Sequence, residues 1–263
     1  MSASPLRIER RGPVAWVILD RPAVHNAFDE LLISELSRAA AELGADAEVR
    51  VVVLASEGPS FSAGADLNWM KRMVGASFEE NRADAEKMAR MFEVLFRLPK
   101  PLVGRIHGAA LGGGVGLTAV CDIAVAAQEA VFGLTEIRLG ILPSVISPFV
   151  LAKIGSGAAR ELFLTGERFS AERAREIGLV RRVVPRDGLD AEVDKVIDDL
   201  LAGGPEAQAR AKRLLPQVEG LSPEEAREMT TRNIAEARVG AEAQEGMNAF
   251  LQKRRATWRR DSR

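Results

Sequence analysis

Three short apolar runs constrain this chain most: VRVVVLA (49–55), PLVGRI (101–106) and DIAVAA (122–127), with helical sequence between them. The first is a continuous β-branched run without polar alternation, which suits a strand covered on both faces, as in a parallel sheet. Strand, helix, strand, helix is the α/β pattern. Upstream, LRIERRGPVAWVILD carries two apolar runs around Arg11, Gly12 and Pro13, which predicts a hairpin. Asp29 then caps a helix reaching about Leu43, with Leu32, Leu36 and Leu43 on its buried side. FSAGADLNWMKRM reads as a loop entering a short helix, and a longer helix follows from about Phe78 to Arg97, before Pro99.

Beyond residue 140 the pattern is mostly helical: PSVISPFVLAKIG, SGAARELFLTG and SAERAREIGLV, a brief VRRVVP strand, then a helix to about Ala202. Gly203, Gly204 and Pro205 mark a break. After it, 206–218, 223–238 and 241–255 read as three helices rich in Ala, Glu and Arg, with no strand to cover and few aromatics. The expected division is a core over 1–202 and a helical appendage over 203–263 that docks on something else, such as another subunit. No internal sequence repeat is apparent.

Composition excludes several classes. With 263 residues, 47% hydrophobic and 28% charged, the chain can bury a large core and is expected to be soluble. One cysteine, Cys121, and two histidines, His25 and His107, give neither a disulfide framework nor a metal-ligand set, so no metal is implied. A net charge of -1 leaves no electrostatic footprint for nucleic acid. The N-terminal stretch lacks the apolar middle of a signal peptide, and no run approaches the roughly 20 apolar residues that span a bilayer. The expectation is a cytoplasmic protein with no membrane contact.

The stretch HGAALGGGVG, 107–116, exposes much bare backbone in one place. Gly114, Gly116 and Ala119 satisfy the G-x-G-x-x-G/A dinucleotide pattern. The helix after the glycines must end by Asp122, however, which leaves too little chain for a parallel crossover counted from that point. No Lys-Ser or Lys-Thr follows, which excludes a P-loop. The remaining reading is an anion site on the N–H groups at Gly113 and Gly114, where the helix dipole also favours negative charge. The turn Ser62-Ala63-Gly64-Ala65-Asp66 has the same form, and two such turns side by side would make an oxyanion hole.

Here the residues carry a resemblance. DRPAVHNAF, FSAGADL, HGAALGGGVGLTAVCDIAVAA and FGLTEIRLGILP resemble, in order and spacing, the signature blocks of the enoyl-CoA hydratase/isomerase (crotonase) family. TGERFSAERAREIGLVRRVVP and EGMNAFLQKR extend the likeness over nearly the whole chain, and GILPSVISPFVLAKIG is most similar to bacterial 3-methylglutaconyl-CoA hydratases of leucine and isoprenoid breakdown.

The resemblance implies a spiral of ββα units with a C-terminal helical trimerisation region, forming a homotrimer or homohexamer. It implies an acyl-CoA substrate whose coenzyme A is part of the substrate, with no separate cofactor. The thioester oxygen would rest on the backbone N–H groups of Ala65 and Gly113. Val24, His25, Ala63, Asp66, Leu67, Asn68, Gly112 and Gly116 would line the acyl-CoA site. Phe250 and Lys253 would cover a nucleotide bound to a neighbouring subunit.

Hydratases of the family commonly use two glutamates. In this chain the first position falls on Gly116 and the second on Glu136, so one acid remains, in apolar surroundings that raise its proton affinity. The space at Gly116 is expected to accept a branched substrate or one bringing its own carboxylate. Arg21, Lys71, Arg72 and Lys253 are the candidate cations for coenzyme A phosphates, and Lys71 and Arg72 those for a distal carboxylate. His107 has no nucleophile elbow near it and reads as a satisfied strand-end histidine. Asp122 reads as structural and Cys121 as a small buried hydrophobe. The expected activity is addition or removal of water at C2–C3 of an enoyl-CoA. The alternatives are double-bond isomerisation with one glutamate, or a CoA-binding subunit without chemistry.

Overall fold

The computed structural model describes residues 4–259. The expected hairpin is present: β1 (Leu6–Arg11) and β2 (Val14–Leu19) pair antiparallel, from Leu6 opposite Leu19 to Arg11 opposite Val14. Helix α1 (Glu30–Ala45) starts where Asp29 accepts the N–H of Leu32 at 2.8 Å. Next come β3 (Val51–Ser56), α2 (Leu67–Met73) and α3 (Phe78–Phe96), the last opened by a capping box of Ser77 and Glu80. Then follow β4 (Leu102–Ile106), β5 (Ala109–Leu111), α4 (Gly113–Val120), β6 (Ile123–Ala127) and β7 (Val131–Gly133). A 3₁₀ turn at Thr135–Leu139 leads to α5 (Ser147–Thr165), which Gly155, at φ 71°, kinks between the two helices read from the sequence. The remainder is β8 (Arg168–Ser170), α6 (Ala171–Glu176), β9 (Arg182–Val184), α7 (Leu189–Ala202), α8 (Pro205–Val218), α9 (Pro223–Val239) and α10 (Ala241–Leu251).

Six strands form one sheet in the order β1-β2-β3-β4-β6-β9, parallel from β2 onward. The alternation hidden in its apolar strands is real. Val52 and Leu54 face the main core with α1 and α3, whereas Val51, Val53 and Ala55 face α7 through Leu189, Val193 and Val196. Both faces are dry, which is why the run reads as continuous.

A second sheet, β5-β7-β8, was not legible in the sequence. Ser62 adds a single parallel bridge to Ala110 at its edge. Each turn of the spiral therefore gives a strand to the first sheet, a few residues to the second, then a helix: β3, Ser62 and α2; β4, β5 and α4; β6, β7 and α5. This corrects one sequence argument. β4 and β6 pair directly in parallel, because the crossover is the whole of 107–122 rather than the helix alone.

Helices α8 and α9 bury no residue, and α10 buries Ala249. The layer is tied to the core by Lys212, whose Nζ lies 2.7 Å from Asp122 Oδ2 and 3.2 Å from Lys100 O. No helix among the described residues is long and apolar enough to cross a membrane, and no cluster of possible metal ligands occurs among them.

Candidate active site

The two backbone-rich turns lie side by side. Ser62 N–H donates to Ala109 O at 3.0 Å and Leu111 N–H to Ser62 O at 2.9 Å. Ala65 and Gly113 each fall three residues beyond the parallel Ser62–Ala110 bridge, one on each chain. A side chain at Gly64 would begin 3.0 Å from Leu111 O, so the turns touch through backbone. Gly113 opens α4, where an N–H has no intrahelical acceptor. Neither it nor the N–H of Ala65 meets a backbone acceptor among the described residues.

Each glycine of the cluster has a neighbour that explains it. Gly112 takes φ 50°, and a Cβ there would stand 2.9 Å from Glu136 Oε1. One at Gly114 would lie 2.5 Å from Ser62 O, so the two turns also meet there without room for a side chain. On the inner face of α4, a Cβ at Gly113 would be 2.8 Å from Phe28 Cε2, and one at Gly116 would be 2.4 Å from Ile146 Cγ2 and 3.0 Å from the Phe92 ring. Gly116 is buried. The space expected there for a branched acyl group is filled by protein, which corrects that expectation.

Glu136 sits on the 3₁₀ turn beside the start of α4, held there because β7 pairs with β5 and Gly112 N–H donates to Gly133 O at 2.8 Å. Its Oε2 is buried and has no hydrogen-bond partner among the described residues. An orphaned carboxyl oxygen of this kind calls for a functional explanation. Burial pushes the carboxyl above the usual carboxylate range, opposed only by its own backbone N–H. A carboxyl that holds its proton more tightly in this way is suited to both taking and returning one.

Around this centre, Ala63 N–H donates to His25 O at 2.9 Å, and His25 Nδ1 lies 3.0 Å from Ser60 Oγ. Val24, His25, Leu67 and Asn68 are exposed at the rim. Asp66 caps α2 through the N–H groups of Asn68 and Trp69. Burial works against its ionisation, but these donors and Arg21 hold its carboxyl below the usual range.

Two of the candidate cations are already engaged. Arg21 bridges Asp29 at 2.9 Å and Asp66 at 3.1 Å, and Arg72 pairs with Glu30 at 2.6 Å. Lys71 remains exposed beside the turn. Phe250, 83% exposed, and Lys253 stand at the end of α10, on an element that does not build this cleft.

His107 is buried, with Nε2 at 2.9 Å from Gly58 O and Nδ1 at 3.2 Å from Arg105 Nη1. Burial pushes its pKa down, so it holds a loop as a neutral ring. Cys121 is buried, its thiol pushed up to about 12 by desolvation. A cavity of about 1070 Å³, lined by Arg11, Glu48, Asp198 and Trp258, lies at the amino ends of β2 and β3. Ligands of open α/β sheets bind at the carboxyl ends, where Glu136 and the two turns are found.

The architecture and the site define an α/β protein of the crotonase fold in which the start of α4 stands beside a buried acid. The enoyl-CoA hydratase/isomerase family profile matches residues 9–261. The crotonyl-CoA hydratase of Syntrophomonas wolfei is 31% identical, with 98% of this chain and 99% of that protein covered. The short-chain-enoyl-CoA hydratase of Clostridium acetobutylicum is 30% identical, with 97% of each covered. The crystal structure of an enoyl-CoA hydratase from Shewanella pealeana superposes with a TM-score of 0.94 at 41% identity, covering 97% of this chain and 96% of that one. This chain belongs to the enoyl-CoA hydratase/isomerase family.

Proposed function

We propose that this protein adds water to, or removes it from, the C2–C3 double bond of an enoyl-CoA, with Glu136 as its one acid-base group. The acyl group we infer is branched, as in 3-methylglutaconyl-CoA and 3-hydroxy-3-methylglutaryl-CoA. The observation that carries the reading is the orphaned, buried carboxyl of Glu136 beside a helix start with a free N–H. The relatives named as crotonyl-CoA and short-chain-enoyl-CoA hydratases support the reaction class, and the likeness of GILPSVISPFVLAKIG supports the branched acyl chain.

In the hydration direction the Glu136 carboxylate takes a proton as water oxygen bonds to C3. The π electrons move to the thioester oxygen, which accepts hydrogen bonds from Ala65 and Gly113 N–H. The enolate collapses as Glu136 returns its proton to C2. Each such donor is worth about 3–4 kcal/mol of barrier. One carboxyl serving both steps delivers H and OH to one face, so syn addition is expected. Coenzyme A belongs to the substrate and no separate cofactor is invoked. Lys71 is the candidate partner for a distal carboxylate, since burying that charge unpaired is costly. The exposed apolar residues Leu215, Val239 and Leu251 support residues 203–263 as an oligomerisation region, giving a trimer or a pair of stacked trimers.

A second reading, isomerisation, is favoured by Gly116. With Ile146 and Phe92 where a second acid would be, a single base can also carry a proton between C2 and C4. The deciding experiment assays crotonyl-, 3-methylcrotonyl- and 3-methylglutaconyl-CoA in both directions with products identified by mass. The expected outcome is preferred hydration of the 3-methylglutaconyl ester. Preference for crotonyl-CoA sinks the branched substrate, and a shifted double bond without added water sinks the hydratase reading.

A further inference from the structure

The two donor turns belong to different units of the spiral, yet one residue outside both touches each of them. Phe28 is fully buried. Its N–H donates to Gly64 O at 2.7 Å and its carbonyl accepts from Asp66 N–H at 2.9 Å, so its main chain grips the two residues flanking Ala65. Its ring edge lies against Gly113, where even a methyl group would come within 2.8 Å of Cε2. We propose that Phe28 is a positioning residue that sets the separation of the Ala65 and Gly113 donors, its backbone holding one turn and its ring acting as a stop for the other. This rests on the reading of those two N–H groups as an oxyanion hole.

The residue is itself held from both sides. His25 and Asn26 take φ of 53°, unusual for residues other than glycine, and the surroundings enforce it. Asn26 is fully buried. Its Nδ2 donates to Glu57 O and Ser60 O, each at 2.8 Å, and its Oδ1 accepts Arg21 N–H at 2.8 Å. Ser62 Oγ donates to Asn26 O at 2.9 Å. Behind the ring stands Phe92, 6.1 Å away at 50°, with Phe149 a further 6.0 Å on and Phe96 against that. The ring therefore cannot retreat from Gly113 without displacing an aromatic stack. Two donors serve one oxygen only if both stand about 2.7–3.1 Å from it. A side chain shorter or less rigid than Phe leaves room into which the start of α4 can settle.

The test compares Phe28→Leu and Phe28→Met with Phe169→Leu, a buried ring on β8 that stacks on Phe132 and takes no part in the Phe28–Phe92 stack. Two readouts are taken: kcat and KM on the best ester, and the absorption of bound 4-dimethylaminocinnamoyl-CoA, which shifts to the red when hydrogen bonds polarise its thioester carbonyl. For the Phe28 variants the expected result is a loss of about 10- to 100-fold in kcat, as misplaced donors give, with KM within about threefold. Most of the red shift should vanish as well. Phe169→Leu should lower Tm and keep the shift. Phe28 variants with the wild-type shift and kcat, or a Phe169 variant that loses both alike, overturn the brace while leaving the hole intact. A wild-type protein that gives no red shift overturns the hole and the brace with it. If Phe28→Leu does not fold, Phe28→Met decides, since its unbranched chain keeps length without a rigid ring.

Discussion

At the scale of single residues, the buried carboxyl of Glu136, the proposed acid-base group, ties stability to pH with a definite sign. Burial makes the folded chain hold this proton more tightly than the unfolded chain, whose carboxyl titrates near the free value of about 4.3. The stability present when the group is protonated is thus lost as pH rises from that value through the raised folded pKa. Glu136→Gln removes this cost, so its Tm should exceed that of the wild type at about pH 8 and match it at about pH 4. Turnover should fall by roughly 10²- to 10⁴-fold while acyl-CoA binding persists on the backbone donors. Thermal melts at the two pH values and a single-ester kcat check both claims, and full turnover in the variant ends the one-acid account.

Gly116 is the companion case. The sequence showed that an acid was missing but not what replaced it, because Phe92 and Ile146 come from 24 residues before and 30 after. Were the space at Gly116 free, Gly116→Glu would affect crotonyl-CoA and a branched ester in opposite directions. With Ile146 Cγ2 2.4 Å from any Cβ, both activities should fall, and stability should drop by about 1–3 kcal/mol, as overpacked sites do. Adding Ile146→Ala should recover part of the stability. A Gly116→Glu protein as stable as the wild type contradicts this packing.

At the scale of elements, the long strands and helices were legible because each carries a period or a cap. Asp29 capping α1 and the glycine kink in α5 are examples. The strands β5, β7 and β8 have three residues each, too few for a two-residue period to rise above chance, and their partners are distant in sequence. That small sheet places Glu136, so the acid could be named from its motif but not located. Arg21 was read as a phosphate contact for the same reason. Only the folded chain shows it joining the caps of α1 and α2.

Asp66 is the test at this scale. It caps α2, pairs with Arg21 and adjoins a donor turn, with 7% of its side chain exposed. Asp66→Ala should cost about 2–3 kcal/mol, from the lost cap and the lost charged hydrogen bond. Asp66→Asn, which keeps a cap oxygen, should recover roughly half of that, within the known worth of caps. Equal melting temperatures for the two variants, measured by chemical and thermal unfolding, rule out capping as the residue's structural role.

For the molecule as a whole, residues 203–259 raise a question that one chain does not answer by itself. Helices α8 and α9 amount to a layer with nothing buried, while Leu215, Val239, Phe250 and Leu251 are each at least 70% exposed. These exposed apolar side chains are the ones that the proposed oligomer would cover. The layer is nevertheless anchored, since the Lys212–Asp122 pair is partly shielded, with side-chain exposures of 16% and 32%, and Asp122 Oδ2 also accepts Leu102 N–H at 2.7 Å. Two different contributions can therefore be separated. Lys212→Met removes the anchor but no exposed apolar group, so protection of α8–α10 against hydrogen exchange should fall while the subunit count is unchanged. Val239→Asp with Leu251→Asp leaves the anchor and charges the surface, so a wild-type trimer or hexamer should fall towards monomer at micromolar concentration. Hydrogen exchange reads the first effect, and light scattering of the three proteins reads the second. A wild-type monomer at that concentration refutes the oligomer outright, and a doubly charged variant that keeps the wild-type mass shows that subunits meet elsewhere.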